Sequence, residues 1–398
     1  MNIHEFGNLV HHRTRRSSTR SVRISKTVVC RLRRHLLGLL VGVWVSSIWL
    51  RADVCSDARA ALQRRDLGAA EDPLKRCAEA NPTQLGPLVD LCGVYQAQGR
   101  YDDLVRTASE GIRRFPTERR FYVTVANHAA RSKQYRQAIE VFAEAYRRWP
   151  QDAQLKDGLA GAHLYLGMQQ LDNGENVEAE RHLRLAVTLA ESDLDARLNL
   201  GRALHNLNRS LEAEEQFDRV IALNPNAPLA RFHRGMVRQA LGDLDAAIVD
   251  LSEEIKRNPG YPPSYFSRGK AYQTKGLFEE ALADLDVATQ KMPDNARILF
   301  ARGRCRVQLA QISGAEADFR KAMALEPENP EPINALAQLL WRSGKKEEAA
   351  RLFDQGREKG QTVRTAKPGE IRFEGSARSV RKSARGRQPQ DKRPAGRK

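Results

Sequence analysis

The feature that most constrains this chain is a proline that returns every 34 residues. The series runs through Pro82, Pro116 and Pro150, and it resumes 75 residues later at Pro225. The same 34-residue interval then leads to prolines at positions 259, 293 and 327. A fixed period of this length is typical of a repeat protein in which each repeat is one supersecondary structure. Because 75 residues are two periods and seven further residues, one repeat is longer than the others.

Small residues recur at fixed places within the period. If position 1 is the third residue after each proline, position 8 is always small and position 20 is almost always alanine. Position 8 holds Cys92, Ala126, Gly201, Gly235, Gly269, Gly303 and Ala337. Small residues let two helices approach closely, and glycines near position 15 favour a turn between them. Proline at position 32 ends the second helix because its nitrogen carries no hydrogen to donate.

This pattern resembles the tetratricopeptide repeat family, and the resemblance covers residues 51–360. It implies an all-α fold, a right-handed superhelical solenoid of about eight to nine helix pairs within a repeat domain of residues 52–360. The repeats fall near 51–84, 85–118, 119–152, 153–193, 194–227, 228–261, 262–295, 296–329 and 330–360. The seven extra residues of repeat 153–193 are expected to lengthen its first helix by about two turns.

The net charge of +17 is confined to the two ends of the chain. Residues 1–34 carry +8, residues 361–398 carry +9, and residues 35–360 hold equal numbers of acidic and basic side chains. Both ends are expected to be disordered, the first as a basic cytoplasmic n-region and the second as a basic tail. The body therefore lacks the charge excess that would direct it to a polyanion, although the tail could bind nucleic acid or another polyanion.

An uncharged apolar stretch follows the first basic segment. Leu36–Leu50 contains no charged residue, and segment 35–51 is interpreted as a hydrophobic signal or anchor helix. Its 15 residues are fewer than the roughly 20 of a typical membrane span. Cleavage of this segment would export the protein, whereas its retention would anchor the protein in the membrane. Arg33-Arg34 is compatible with the twin-arginine export system, so the sequence does not distinguish this system from the general export system. Either outcome places the repeat domain outside the cytoplasm, because the basic flank stays inside. A buried helix of the repeat domain is the other interpretation of this stretch.

Arginine and aspartate appear together in three consecutive repeats. Position 7 is Arg and position 23 is Asp in each, namely Arg234, Asp250, Arg268, Asp284, Arg302 and Asp318. In the repeats that begin at residues 85, 119, 194 and 330, position 7 is apolar and position 23 is not acidic. We expect structural, charge-assisted contacts between the two helices, within one repeat or between adjacent repeats.

The resemblance also implies where a ligand binds. In tetratricopeptide proteins the first helix of each pair lines the concave face of the superhelix. The corresponding peptide-binding candidates are Asn199, Arg202, Phe232, His233, Met236, Phe266, Lys270, Phe300, Arg304 and Trp341. Aromatic rings flanked by cations and amides suit an extended peptide with acidic groups. The alternative is that the phenylalanines pack between helices.

Three cysteines lie close together after the apolar stretch. Cys55, Cys77 and Cys92 could include a disulfide outside the cytoplasm, or they could be small buried apolar residues.

The sequence contains no catalytic motif. It has no glycine-rich phosphate loop, no His-Glu-x-x-His and no Cys-x-x-Cys, so we predict no enzymatic activity, cofactor or metal. We expect a non-catalytic protein–protein interaction scaffold, membrane-anchored or exported, that binds a peptide or partner helix on its concave face. The alternative is a cytoplasmic nucleic-acid- or ribosome-associated protein that uses its basic tails.

Overall fold

The structure is a computed structural model that describes residues 55–365, with side chains described as far as residue 360. The predicted basic segment 1–34 and the predicted signal or anchor segment 35–51 lie outside the described residues, as does the tail after residue 365. Within 55–365, no helix is long and apolar enough to cross a membrane.

Eighteen helices follow one another through the described residues. The first, α1, spans 55–63. The others are α2 (Leu67–Ala80), α3 (Gly86–Gln98), α4 (Tyr101–Arg114), α5 (Arg119–Arg131), α6 (Tyr135–Arg148), α7 (Ala153–Asp172), α8 (Asn176–Leu189), α9 (Leu194–Asn206), α10 (Ser210–Leu223), α11 (Ala230–Leu241), α12 (Leu244–Arg257), α13 (Pro262–Lys275), α14 (Phe278–Lys291), α15 (Ala296–Gln308), α16 (Ile312–Leu325), α17 (Pro330–Arg342) and α18 (Lys346–Thr365). The predicted all-α chain of consecutive helix pairs is confirmed.

The helices of a pair touch where the sequence places small residues. We call the odd-numbered helices A helices and the even-numbered ones B helices. A Cβ atom added to Gly201 on α9 would lie 2.6 Å from the ring of Phe217 on α10. Gly303 on α15 and Phe319 on α16 repeat this contact, and both phenylalanines are fully buried. Small residues at position 8 therefore let a large apolar residue of the B helix reach the backbone of the A helix.

The additional residues of repeat 153–193 lie in its A helix. Helix α7 has 20 residues, whereas the A helix α5 has 13. The predicted lengthening of this helix by two turns is confirmed.

Contacts between helices divide the chain into two units. The first unit ends at Gly158 and the second begins at Leu159, within α7. The core of the first unit includes Leu88, Tyr95 and Phe121. In the second unit the helices from α8 to α18 pack consecutively. The last of them continues to Thr365, so the first five residues of the predicted tail 361–398 are helical.

Candidate peptide-binding site

The A helices of the second unit meet along one face, which we call the A face. Helices α9, α11, α13 and α15 approach their neighbours in this row to within 8 Å between Cα atoms. The Gln239 side-chain amide of α11 donates to the carbonyl of Ser267 on α13 at 2.5 Å. Gln273 of α13 donates to the carbonyl of Ala301 on α15 at 3.2 Å. These two amides, both at position 12, tie successive A helices together.

The predicted aromatic residues lie along this row but are mostly packed between helices. Phe232 is only 6% exposed, and its ring meets the edge of Tyr261 with centroids 5.3 Å apart. Phe266 is half-buried, as is Phe300, whose ring lies 5.8 Å from that of Phe319. Trp341 differs, because 51% of it is exposed. A ligand on the A face would therefore meet one open aromatic side chain and the edges of two others.

A buried carboxylate helps to place Phe232. Glu254 of α12 occupies position 27, where other repeats carry a small residue, and it is 3% exposed. It accepts hydrogen bonds from the backbone N–H groups of Leu229 and Phe232, at the start of α11. Burial raises the pKa of the Glu254 carboxyl. Glu254 therefore caps α11 from the partner helix of the same repeat.

The polar candidates on α9 and α11 already have partners within the protein. Asn199 is 5% exposed, donates to the carbonyl of Asp195 at 2.8 Å, and accepts from the Arg202 guanidinium at 2.7 Å. His233 is half-buried and stacks on Phe217 with centroids 5.7 Å apart. Burial, followed by the charge of Arg202, lowers the pKa of His233 to about 3, so this ring is neutral near pH 7. Met236 is also half-buried. These side chains shape the A face, but they offer it little free charge.

Two of the predicted peptide-binding residues, Lys270 and Arg304, lie at position 9 of their repeats and present exposed cationic groups. The Lys270 ammonium lies 5.6 Å from the ring centroid of Phe266, one turn earlier on α13. Arg304 occupies the equivalent place on α15, and no carboxylate of residues 55–360 lies within 4.0 Å of it. The A face is thus positively charged where α13 and α15 run side by side.

In each of the three repeats, the structure brings the arginine at position 7 into contact with the aspartate at position 23. The Arg234 guanidinium donates twice to Asp250, at 2.8 and 2.6 Å. Its remaining nitrogen reaches Asp218 of the preceding repeat at 2.6 Å. Each arginine therefore links its own B helix to the preceding one.

The other two arginines follow this arrangement. Arg302 donates to Asp318 at 3.0 and 2.6 Å and to Asp286 of the preceding repeat at 3.0 Å. Arg268 donates twice to Asp284 at 2.8 Å and reaches Ser252 at 2.9 Å. Hydrogen bonding to Asp284 raises the pKa of Arg268 despite burial.

Second arginines at position 11 were missed by the sequence analysis. Arg238 donates to Asp250 at 2.8 Å, and Arg306 donates to Asp318 at 2.9 Å. In the repeat between them position 11 is Tyr272, whose ring centroid lies 5.8 Å from the Arg268 guanidinium. The recurrence of Arg at position 11 in alternate repeats is the signal that could have revealed them. Because these guanidinium groups are bonded to carboxylates, the cluster is structural and is not an open anion site.

Family models for the tetratricopeptide repeat match most of the described chain. One model matches residues 94–153, 164–228, 198–262 and 266–330, and a second matches 307–367. Together these matches cover more than half of the sequence. The chain belongs to the tetratricopeptide repeat family. Proteins of this family are generally non-catalytic adaptors that bind other proteins.

Solved tetratricopeptide structures resemble parts of the chain. MamA from Desulfovibrio magneticus RS-1 is 24% identical, with a TM-score of 0.39, over 42% of this chain and 95% of MamA. YrrB, described as having an unusual peptide-binding site, is 23% identical, with a TM-score of 0.41, over 49% of this chain and 97% of YrrB. TTC0263 from Thermus thermophilus is 29% identical, with a TM-score of 0.36, over 42% of this chain and 91% of TTC0263. These TM-scores are too low to support an argument about function. No curated protein matches the chain.

The first unit contains a cavity on its own A helices that the sequence analysis missed. It has a volume of about 320 Å³ and lies between α3 and α5, with Val89, Gly93, Gln96 and Arg120 among its lining residues. Gly93 stands at position 9, where two later tetratricopeptide repeats carry Lys270 and Arg304. The absence of a side chain at position 93 opens this space, since an added Cβ atom would have no neighbour within 4 Å.

The cysteines of the described residues fall into two kinds. Cys55 of α1 and Cys77 of α2 form a disulfide, with Cα atoms 5.1 Å apart. Cys92 and Cys305 are free and buried, and burial raises the pKa of the Cys92 thiol to about 12 and that of Cys305 to about 11. Such thiols stay protonated and unreactive near neutral pH. Within residues 55–360, no three His, Cys, Asp or Glu side chains come together as a metal site.

Proposed function

We propose that this protein is a non-catalytic scaffold, exported or membrane-anchored, that binds an extended acidic segment of a partner protein on the A face of its second unit. The observation that carries the proposal is the pair of exposed cations at equivalent positions of adjacent A helices, Lys270 and Arg304. Cationic groups at equivalent places on neighbouring helices favour a ligand that runs across the helices and carries several carboxylates.

The internal ion pairs support this location for the ligand. Arg234, Arg268 and Arg302 are half-buried and bonded to carboxylates of their own repeats. They contribute to the packing of helices and are not available to a ligand. Positive charge for an incoming peptide is therefore supplied by the exposed position-9 side chains.

The disulfide supports the proposed location outside the cytoplasm. Structural disulfides persist in oxidising compartments and are rare in the cytosol. The Cys55–Cys77 bridge lies at the start of the repeat domain, a few residues after the apolar stretch Leu36–Leu50. A reporter that works only after export, fused after residue 60, tests this location. Export of the fused reporter is the expected result, and retention of the reporter inside the cytoplasm would contradict it.

Peptide binding is tested with the full chain and a fluorescein-labelled, glutamate-containing peptide. We expect the double variant Lys270→Gln/Arg304→Gln to weaken binding by about tenfold in fluorescence anisotropy, because two exposed charge pairs of about 0.7 kcal/mol each are lost. The matched control is Lys291→Gln, which removes an exposed cation at the end of the B helix α14. Equal affinities for both variants and the unmodified protein would refute binding on the A face.

A further inference from the structure

The spacing of the A helices determines the spacing of groups on the A face. Helix α13 approaches both α11 and α15 to within 8 Å between Cα atoms. The same glutamine-to-carbonyl hydrogen bond links α11 to α13 and α13 to α15. Since the axes of packed helices lie about 8–10 Å apart, equivalent positions on successive A helices repeat at about that distance.

Position 9 carries exposed polar groups on three successive A helices, at this spacing between α13 and α15. The row runs from Lys270 on α13 through Arg304 on α15 to Gln338 on α17, and all three side chains are exposed. Trp341, one turn after Gln338 on α17, is the open aromatic side chain at the end of the row. The row therefore presents two cations, then an amide, then an indole ring.

Only one regular extended conformation matches a spacing of 8–10 Å. In a β-strand, side chains on one side recur about every 6.7 Å, and the next equivalent residue lies about 13 Å away. On one face of an α-helix, neighbours recur about every 5–6 Å, and residues seven apart are about 10.5 Å apart. A polyproline II helix has three residues per turn and rises about 3.1 Å per residue, so its side chains align every 9 Å or so.

The chemistry of the row agrees with this conformation. Polyproline II segments leave their backbone carbonyls without internal hydrogen bonds, so an amide such as that of Gln338 can donate to one of them. Exposed aromatic rings are the usual partners of proline rings in such segments. Trp341 supplies such a ring next to Gln338.

We infer that the ligand is a polyproline II segment whose acidic residues are three positions apart, with one carboxylate on Lys270 and the next on Arg304. The following turn of the ligand lies over Gln338, and a proline packs on Trp341. This inference rests on the proposed function, and it adds the conformation and the sequence spacing of the partner.

The test uses labelled peptides of equal length and charge with the full chain. Two glutamates are placed two, three or four residues apart in a proline-rich sequence, and a fourth peptide keeps the three-residue spacing but replaces the prolines by glycine. Because all four carry the same charge, any contribution from the basic ends of the chain is equal. We expect the proline-rich peptide with the three-residue spacing to bind at least fivefold more tightly than the other three peptides, as measured by fluorescence anisotropy.

The protein variants separate this inference from the proposed function. Lys270→Gln/Arg304→Gln should remove the preference for spacing, whereas Lys291→Gln should keep it. If all peptides bind equally and all are weakened by the double variant, the spacing is wrong while binding on the A face stands. If none binds, or the double variant changes nothing, the proposed function fails as well. A fifth peptide, helical and with glutamates seven residues apart, tests the conformation. If it binds more tightly than the proline-rich peptides, the polyproline II conformation is wrong while binding on the A face stands.

Discussion

At the scale of the residue, buried carboxylates organise the B helices of the second unit. The side chains of Asp250 and Asp318 are each 4% exposed, and each accepts hydrogen bonds from two arginines. Asp284 receives both of its guanidinium hydrogen bonds from Arg268. A buried carboxylate with too few donors is costly, because the charge has lost its hydration. This explains why Asp at position 23 occurs only where position 7 is Arg.

Removal of one partner should destabilise the protein more than removal of both. We expect Asp284→Ala to lower the free energy of unfolding by about 3 kcal/mol, because a half-buried guanidinium loses its counterion. The double variant Arg268→Met/Asp284→Leu should lie within about 1 kcal/mol of the unmodified protein. Urea denaturation measures both. The exposed pair Lys256–Glu253 is the control, since Glu253→Ala should lower the free energy of unfolding much less than Asp284→Ala does. An Asp284→Ala variant as stable as this control would be evidence against the account.

Two glycines of A helices should respond to alanine in opposite directions. In Gly201→Ala the new Cβ atom meets the fully buried ring of Phe217 at 2.6 Å, so we expect a loss of about 1–3 kcal/mol. In Gly93→Ala the Cβ atom enters open space, so the gain in helix propensity should stabilise the protein by about 0.5–1 kcal/mol. Thermal unfolding compares the two variants. A loss of stability in Gly93→Ala would show that the space between α3 and α5 is closed in solution.

A buried histidine pair should make stability depend on pH. His163 is 7% exposed, and its Nδ1 lies 3.0 Å from Nδ1 of His182. Burial and His182 lower the pKa of His163 to about 4, compared with about 6.5 in the unfolded chain. As the pH falls, His163 is therefore protonated in the unfolded chain before it is protonated in the folded protein. The contribution of neutral His163 to the free energy of unfolding is complete above about pH 6.5 and is lost as the pH falls towards 4.

The variant His163→Phe should flatten this pH dependence, because it keeps a ring against His182 but cannot be protonated. Between pH 7 and pH 4, the unmodified protein should lose about 2–3 kcal/mol more than the variant in urea denaturation. Histidines other than His182, which lies against residue 163, contribute equally to both proteins. Identical pH profiles would show that His163 is accessible to protons in the folded state.

At the scale of the element, the turn between the two helices of a pair is the most regular feature. Position 15, counted past the seven extra residues in repeat 153–193, has a positive φ in all nine pairs of the described residues. These residues are Arg65, Gly99, Lys133, Gly174, Asn208, Gly242, Gly276, Ala310 and Gly344. Glycine adopts this backbone without strain, whereas Ala310 has a φ of 54°. Packing of the two helices therefore imposes the turn even where the local sequence disfavours it.

The recurrent proline also has a second role at this scale. Arg148, near the end of α6, donates to the carbonyl of Pro116 at 3.0 Å. Arg257, near the end of α12, donates to the carbonyl of Pro225 at 2.9 Å. The proline that ends one B helix thus offers an acceptor to the B helix of the next repeat.

The disulfide should stabilise the first helix pair in particular. Reduction, or the double variant Cys55→Ser/Cys77→Ser, should lower stability by about 3 kcal/mol, because the bridge closes a loop between cysteines 22 residues apart. Hydrogen exchange should show the loss within residues 55–80 before any change in α11–α16. The variant Cys92→Ser controls for the removal of a buried thiol. Unchanged protection of residues 55–80 after reduction would contradict this role.

At the scale of the whole molecule, charge is divided between the ends and the body. The ends carry the entire net charge of +17, while residues 35–360 are neutral. We therefore expect binding to a polyanion and the proposed binding of an acidic peptide on the A face to reside in different parts of the chain, which deletion can separate.

Deletion of residues 361–398 removes a net charge of +9 and should reduce retention on a polyanion. We expect the truncated chain to elute from heparin at lower salt, because fewer counterions are displaced. Its affinity for the acidic peptide should change less than twofold, since Lys270 and Arg304 remain. Unchanged elution would locate polyanion binding elsewhere, and loss of peptide binding would assign that activity to the tail.

The sequence by itself determined the repeat and the helix pairs. The 34-residue period and the small residues at positions 8 and 20 are local patterns, and they recur from one repeat to the next. It also determined which arginines accompany which aspartates, since a buried charge requires its counterion in the same repeat. Four features depend on the distances between helices, and only the tertiary structure decided them. These features are the Cys55–Cys77 pairing, the second arginine on Asp250, the cavity beside Gly93 and the left-handed turn at Ala310. Each results from how neighbouring helices meet, and a sequence period can mark the positions involved but not the contacts that they make.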